Sequence, residues 1–143
     1  MIFNAFQRED DDSVFTVARN VSGGTVSLGQ VAVWDITSSV DGVRVSVPAT
    51  ATLSLFRGVA TEAVTDSSYG RFQAHGYQAS ASVINHTTQA VAAGDILIPV
   101  DGQKYLARSA ASDGKTGFVY AAEALATATT PAAAATKVLV RAL

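Results

Sequence analysis

The stretch that decides the fold runs Gly58-Val-Ala-Thr-Glu-Ala-Val64, turns through Thr65-Asp-Ser-Ser68 and returns as Tyr69-Gly-Arg-Phe-Gln-Ala-His75. An apolar first part, a polar reversal and an alternating second part are typical of two β-strands joined by a turn. The returning strand has two distinct faces, which carry Arg71, Gln73 and His75 on one side and Phe72 and Ala74 on the other. The stretch therefore predicts a β-hairpin.

A second copy of this pattern lies near the C-terminus, in Gly117–Leu125 and Lys137–Leu143. In both copies a glycine opens an apolar strand, a Glu-Ala pair closes it, and a basic residue lies on the returning strand. The similarity extends upstream, where Leu28–Asp35 and Ala93–Asp101 each contain a glycine, a polar residue, an apolar strand and an aspartate that can start a turn. An internal duplication and chance similarity between short apolar strands both explain the match, and both imply β structure.

Further strands are expected on either side of these segments. Period-two alternation predicts them at Ser13–Ala18, Gln30–Ile36, Val43–Val47, Ala49–Phe56, Tyr77–Ile84 and Gln103–Arg108. Thr130 before Pro131 is a suitable N-cap and first-turn pair, so residues 131–135 are expected to form at most one helical turn. We therefore predict an all-β fold, a compact barrel or sandwich of nine or ten short, mostly antiparallel strands.

Length and composition indicate one domain that needs no cross-link. A chain of 143 residues is long enough to bury roughly 68–70% of the surface that it exposes when unfolded. The sequence has no cysteine, which excludes a thiol nucleophile, a zinc–thiolate site and a disulfide framework, and which suits a reducing cytoplasm. We expect residues 13–143 to form a single β domain and residues 1–12 to form an extended N-terminal arm.

Charge and hydropathy point to protein partners rather than to nucleic acid or membrane. A formal net charge of −2 gives no global field that attracts nucleic acid. We expect no signal peptide and no membrane span, because the required basic and apolar regions are missing. Charged residues make up only 15% of the chain, against roughly 25% in an average domain, so we expect another chain to cover part of the surface.

A small set of large apolar residues is the best candidate for contacts between subunits. The segment 1–12 joins an apolar tip to an acidic run, Glu9–Asp12, which is typical of a solvated terminus or of an arm that docks on a neighbour. We favour the docking arm. For Trp34, the only tryptophan, core packing is the preferred interpretation and an interface anchor is the alternative. The interface candidates are Ile2, Phe3, Phe6, Phe15 and Trp34.

The sequence contains no recognisable catalytic or metal-binding pattern. Its two histidines lack the spacing of paired metal ligands. Glu62 and Glu123 hold equivalent repeat positions and could act as a glycosidase-type pair, but we expect each to end a strand and to reach water or to pair with Arg71 or Arg141. Phosphate loops, nucleophile elbows and serine triads are missing. We expect no enzymatic activity, no catalytic residue, no cofactor and no metal site.

Four segments are similar to sequences of tailed-phage head decoration proteins, also called capsid cement proteins. The segments are Arg57–Val64, Ala93–Leu97, Gly117–Leu125 and Lys137–Arg141. In that family a turn of the Ala-Gly-Asp type precedes a strand, and an ending of the type Gly-x-Ala-x-Glu-Ala followed by Val-x-Val closes a small β-barrel. The resemblance covers residues 57–143 and leaves residues 1–56 unmatched.

The resemblance implies a structural role without catalytic residues. Copies of a capsid cement protein lie on the outer face of an icosahedral head, bridge neighbouring subunits of the major capsid protein and resist the pressure of the packaged DNA. For this chain it implies assembly in the host cytoplasm, a place on the outer surface of the virion capsid, and the major capsid protein as partner. We also expect a homo-oligomer, with a trimer favoured.

Other functions stay open on the sequence. A carbohydrate- or receptor-binding sandwich would place exposed aromatic rings beside polar groups, for which Tyr69, Tyr77, His75 and Asp66 are available. A tail-tube or connector subunit belongs to the same structural class as a decoration protein. A hydrolase would need the two glutamates named above to meet at one site.

Overall fold

The computed structural model describes residues 13–37, 41–85, 89–109 and 117–142. Across these ranges the chain forms nine β-strands and one 3-10 turn, Leu53–Leu55. The strands, β1 to β9 in chain order, are Val14–Asn20, Val31–Trp34, Arg44–Ser46, Phe56–Ala60, Tyr69–Ile84, Ile96–Pro99, Leu106–Arg108, Val119–Ala121 and Ala133–Arg141. None of the described segments is a helix with the length and apolar character of a membrane span. The all-β prediction is confirmed.

The first five strands close into a cycle of pairings, which we call the N-terminal ring. The strand order is β1-β3-β2-β4-β5, and β5 pairs back onto β1 to close the cycle. The β1–β3 pair is parallel, and the other four pairs are antiparallel. Only the first half of β5 takes part, since residues 69–75 are the ones that pair with β1.

The remaining strands form a second cycle, the C-terminal ring, with the same order of pairings. The second half of β5 pairs in parallel with β7, which is followed by β6, β8 and β9. Strand β9 then pairs back onto β5, so this ring also has one parallel and four antiparallel pairs. Strand β5 is therefore the last strand of one ring and the first strand of the other.

The registers show that the two rings repeat the same structure. Ala60 lies opposite Phe72 in the N-terminal ring, and Ala121 lies opposite Val138 in the C-terminal ring. Two further registers correspond in the same way, namely Val31–Val59 with Ile96–Tyr120 and Val26–Val64 with Val91–Leu125. The internal duplication is therefore present in the fold, with one strand shared between its two halves.

One detail of the predicted repeat is wrong. Gly58 and Gly117 were expected to open equivalent strands, but the register matches Gly58 with Val119. An added Cβ at Gly58 would lie 2.5 Å from the carbonyl oxygen of Gln73. The glycine is therefore needed for a close approach between β4 and β5 in the first ring, whereas the second ring accommodates a valine at the same place.

The expectation of short strands fails for β5, which runs through 16 residues where two strands were predicted. Gly76, with a φ of 104°, lies near its middle. The strand continues past this glycine because the residues on both sides of it pair with other strands: β1 before it and β9 after it. Pairing at long range thus overrides the local signal for a break.

Two buried clusters hold the rings together. The interior of the N-terminal ring is filled by Ala18, Val26, Ala32, Val45, Ala60, Val64 and Phe72. The second cluster fills the C-terminal ring and also includes Val31, Phe56 and Val59 from β2 and β4. Because alternate side chains of a strand point to opposite faces, β2 and β4 contribute to both clusters. The two rings therefore pack against each other through shared apolar side chains.

The predicted strand from Ala49 to Phe56 is wrong for most of its length, because a 3-10 turn occupies Leu53–Leu55. The hydroxyl of Thr52 accepts the main-chain N–H of Ala49 at 3.0 Å, and the N–H of Leu55 donates to the carbonyl of Thr52 at 2.8 Å. Local hydrogen bonds of this kind compete with pairing in a sheet. Among the described residues, no strand pairs with residues 49–55, so the alternation that predicted a strand here has no support from the sheet.

The sequence allows at most one helical turn at residues 131–135, and the structure forms none there. Strand β9 begins at Ala133, which lies opposite Ile84 in the register with β5. Pairing with the long strand β5 therefore takes precedence over the capping signal of Thr130 and Pro131.

Candidate interaction surfaces

Glu62 and Glu123 hold equivalent places in the two rings, where each joins two neighbouring strands. The Glu62 carboxylate accepts the main-chain N–H of Arg71 at 3.0 Å and lies 3.7 Å from its Nε. The Glu123 carboxylate accepts the main-chain N–H of Lys137 at 2.9 Å and lies 3.3 Å from its Nζ. Arg71 is therefore the partner of Glu62, as expected, while the partner of Glu123 is Lys137 rather than Arg141.

These contacts give both carboxylates a structural role. Each glutamate serves its own ring, and the hydrogen bond from the main-chain N–H of Lys137 lowers the pKa of Glu123 below its ordinary value. Over the described residues, no three histidine, aspartate or glutamate side chains come together closely enough to hold a metal ion. His75 lies on β5, and His86 lies outside the described residues.

The two interface candidates that the structure describes do not lie on one surface. Ile2, Phe3 and Phe6 lie outside the described residues. Phe15 is on β1 and Trp34 is on β2, and β3 lies between these two strands in the sheet. Phe15 and Trp34 therefore belong to two separate surfaces.

Phe15 is part of an exposed apolar stripe on the outside of the N-terminal ring. Its side chain is 47% exposed, that of Val17 is 62% exposed and that of Tyr69, on the neighbouring strand, is 64% exposed. The guanidinium of Arg71 lies 5.9 Å from the centre of the Phe15 ring. We call Phe15, Val17 and Tyr69 the outer stripe. An apolar group of this kind on the surface is typical of a contact with another protein.

The second ring shows that the fold does not require a large apolar side chain at every position of the outer stripe. By register, Ala135 holds the place of Tyr69. The place of Val17 falls at Ala79 and Ser80, where the pairing of β5 with β9 is irregular. Phe15, opposite Gln73, corresponds to Tyr77, opposite Leu139, so this place is aromatic in both rings. Only the places of Val17 and Tyr69 carry small side chains in the second ring. The fold therefore tolerates small side chains at two of the three places of the outer stripe.

Trp34 packs at the edge of the N-terminal core and carries a guanidinium on its ring. It is half-buried, and Cζ of Arg57 lies 4.3 Å from the ring centre, which is a cation–π contact. Nε of Arg57 is buried and has no hydrogen-bond partner among the described residues. Burial lowers the pKa of Arg57. Arg57 is not recognisable as a functional residue from the sequence, because a lone arginine ahead of a glycine matches no motif.

Two apolar grooves flank the 3-10 turn next to this pair. The first, which we call the shelf, is lined by Trp34, Asp35, Ile36, Gly42 and Leu55. The second, which we call the cleft, opens toward the C-terminal ring, and its lining includes Leu53, Phe56, Leu97, Pro99 and Phe118. The rings of Phe56 and Phe118 stack there with their centres 6.2 Å apart. Residues of the 3-10 turn line both grooves. Because the sequence predicted a strand at this place, neither groove was expected.

The residues considered for a carbohydrate site are spread along the molecule. Tyr69 and Tyr77 lie at different points of β5, about 26 Å apart along an extended strand. Tyr77 is half-buried, whereas Tyr69 is mostly exposed. The carboxylate of Asp66 accepts the main-chain N–H of Gly23 at 2.9 Å, which holds the loop before β2. These residues therefore do not surround one common point.

Comparison with known proteins gives a likeness in fold. No family model matches the chain, and no curated protein matches it. Among solved structures it is similar to the head fiber gp8.5 N base of bacteriophage phi29, with a TM-score of 0.53 and 17% sequence identity. This chain shares its fold with the base of a phage head fibre. The match covers 91% of this chain and 95% of that chain, so the likeness extends over both rings.

Proposed function

We propose that this chain is a structural protein of a phage virion, which binds the outer surface of the capsid and stabilises the expanded head by bridging subunits of the major capsid protein. The observation that carries the proposal is the fold shared with the phage head fibre base over nearly the whole length of both chains. The segments that resemble capsid cement proteins support the same class of function. A structural, non-enzymatic role agrees with the strand-joining contacts of Glu62 and Glu123.

The physical mechanism is binding by mass action. A protein that binds the assembled shell, and not the dissociated subunits, adds its binding free energy to the stability of the shell. Individual contacts can be modest, because copies joined in an oligomer engage several sites at once and gain avidity. We propose a homo-oligomer, with a trimer favoured, because it would match the local symmetry of a capsid surface.

The outer stripe is the surface that we assign to the capsid. It is apolar and exposed, and at two of its three places the first ring has Val17 and Tyr69 where the second ring has small side chains. Exposed aromatic rings are typical anchors of protein interfaces, since they bury a large area with little loss of conformational freedom.

Co-sedimentation with expanded heads of the phage that encodes the chain tests this proposal. We expect saturable binding and heads that resist heat better when the protein is bound. The double variant Val17→Ser, Tyr69→Ser should weaken binding by about tenfold or more. The matched control is Leu139→Ser, which removes an apolar side chain of the second ring that is 46% exposed and should leave binding unchanged. The proposal is wrong if folded wild-type protein does not co-sediment with the expanded heads.

A further inference from the structure

Arg57 carries a charge that the described residues do not compensate. Its buried Nε has no hydrogen-bond partner among them, and its guanidinium lies on the Trp34 ring. Three other arginines have carboxylate partners, namely Arg44 with Asp41, Arg71 with Glu62 and Arg108 with Asp95. Arg19 instead donates from its Nε to the main-chain carbonyl of Ser67. A guanidinium with one face on an aromatic ring keeps N–H groups in its plane for a carboxylate. The pair is therefore suited to receive an acidic side chain.

The surroundings of Arg57 suit a ligand that is also apolar. The shelf contains Ile36, whose side chain is 44% exposed, and the cleft contains the stacked rings of Phe56 and Phe118. Asp35 also lines the shelf, but it is buried, and its carboxylate accepts the N–H and the hydroxyl of Thr37. A fitting ligand thus combines large apolar side chains with nearby carboxylates.

The chain itself contains such a segment. Residues 1–12, which lie outside the described residues, join the apolar side chains of Ile2, Phe3 and Phe6 to the acidic run Glu9–Asp12. An extended chain spans about 10 Å from Phe6 to Glu9. One segment can therefore place an aromatic ring in a groove and a carboxylate at Arg57.

The lengths involved favour a segment from a second copy. Trp34 lies opposite Val45, and Val45 lies opposite Asn20, so Trp34 is level with the C-terminal end of β1. Ser13 precedes the other end of β1, roughly 20 Å away along the strand. The acidic run starts at Glu9 and extends no more than about 14 Å from Ser13. The acidic run therefore cannot reach Arg57 of its own chain. The acidic run of a neighbouring copy is not limited by this length of chain.

We infer that residues 1–12 of one copy bind across the 3-10 turn of a second copy, with the acidic run at Arg57 and the two phenylalanines in the shelf and the cleft. The inference rests on the proposed assembly of copies. It concerns contacts in solution and needs no heads for its test, so it can fail while binding to the capsid holds.

Disulfide cross-linking of the full-length chain tests which copy supplies the segment. The natural sequence has no cysteine, so single cysteines report on chosen pairs of positions. A mixture of Gln7→Cys and Leu55→Cys variants should give a covalent heterodimer on mild oxidation. The control mixture pairs Gln7→Cys with Leu139→Cys, on the far strand β9, and should give much less. A chain that carries both Gln7→Cys and Leu55→Cys and cross-links within itself as a monomer would overturn the inference.

Charge reversal tests the contact with Arg57 independently. Sedimentation velocity should show that Arg57→Glu weakens self-association by about tenfold or more, since it places like charges together. Arg141→Glu changes the net charge equally at an exposed position and should have little effect. Adding Asp10→Lys and Asp12→Lys to Arg57→Glu should restore association. Unchanged association of a folded Arg57→Glu variant, or failure of the restoring substitutions, would overturn the inference.

Discussion

Gly29 and Gly94 hold the same place in the two rings. Both have a positive φ, 81° and 90°. The N–H of Gly29 donates to the carbonyl of Ala60, and the N–H of Gly94 donates to the carbonyl of Ala121, each at 2.8 Å. Their surroundings differ, because an added Cβ at Gly29 would collide with the carbonyl oxygen of Ser80, whereas one at Gly94 would meet no atom within 4 Å. At this place the two rings keep the same backbone conformation and differ in the packing around it.

The first prediction uses this pair to separate backbone strain from steric collision. Gly94→Ala should lower the free energy of unfolding by about 1–2 kcal/mol, the penalty of an L-residue in the left-handed region. Gly29→Ala should lower it by about 1–3 kcal/mol more, because β5 must also move away from the new methyl group. Urea unfolding of both variants measures the difference. Equal losses at the two positions would contradict the assigned contact with Ser80.

The second prediction concerns the pH dependence of stability through Glu123. Its pKa in the folded protein is below the ordinary value of 4.5, mainly because the carboxylate accepts the main-chain N–H of Lys137. A lowered pKa gives stability that is complete above the unfolded pKa and is lost as pH falls through the folded pKa. Glu123→Gln should therefore unfold more easily than wild type at pH 7, with a gap that closes below about pH 4.5.

The control for this prediction is Lys137→Met, which keeps the main-chain donor and removes the charged side chain. Because the main-chain hydrogen bond is the largest cause of the shift, this variant should keep most of the acid-dependent stability of wild type. Urea midpoints between pH 3 and pH 7 measure both variants. A Lys137→Met profile that matches that of Glu123→Gln would assign the effect to the side chain instead.

The third prediction compares two aromatic residues on the same strand. Phe72 is fully buried in the N-terminal ring, so Phe72→Ala should lower the free energy of unfolding by about 3–5 kcal/mol. Tyr69 is mostly exposed, so Tyr69→Ala should change it by no more than about 0.5 kcal/mol. Thermal and urea unfolding measure both. A large loss for Tyr69→Ala would mean that the outer stripe supports the fold and was wrongly assigned to binding.

The fourth prediction concerns Arg57 within one chain. Replacement by methionine removes a cation–π contact, worth about 0.5–1 kcal/mol at an exposed site. It also removes a buried Nε without a hydrogen-bond partner among the described residues, an arrangement that is itself unfavourable. The two effects oppose each other, so Arg57→Met should change the stability by less than about 1 kcal/mol. Urea unfolding followed by the fluorescence of Trp34 measures it, and a loss well above this value would show that Arg57 is a structural residue.

Much of the fold was predictable because the alternation of polar and apolar residues along the chain indicates where the strands lie. The hairpin through residues 58–75 and the equivalence of Glu62 with Glu123 followed from the pattern of polar and apolar residues, and the structure confirms both. The duplication was one of two open explanations. The registers decide between them, since sequence spacing alone cannot tell a repeat from a coincidence among short strands.

The failures arise where pairing at long range decides the conformation. Strand β5 continues past Gly76 because two different strands pair with its halves, and β9 begins at Ala133 because β5 offers an edge there. The burial of Gln73 was not foreseen either, since its side chain donates to the main-chain carbonyls of His75 and Tyr77 in a way that only the folded strand provides. Arg57 was not predicted for the same reason, because its contact with the ring of Trp34 exists only in the folded chain.

The central claim is that this duplicated β body acts by binding the outside of a phage head, and electron cryo-microscopy tests it most directly. Expanded heads of the encoding phage, incubated with the purified protein, should carry ordered density on their outer surface at symmetry-related positions. That density should accommodate the two rings with the outer stripe toward the major capsid protein. Bare heads under saturating protein, or density confined to the tail, would contradict the account.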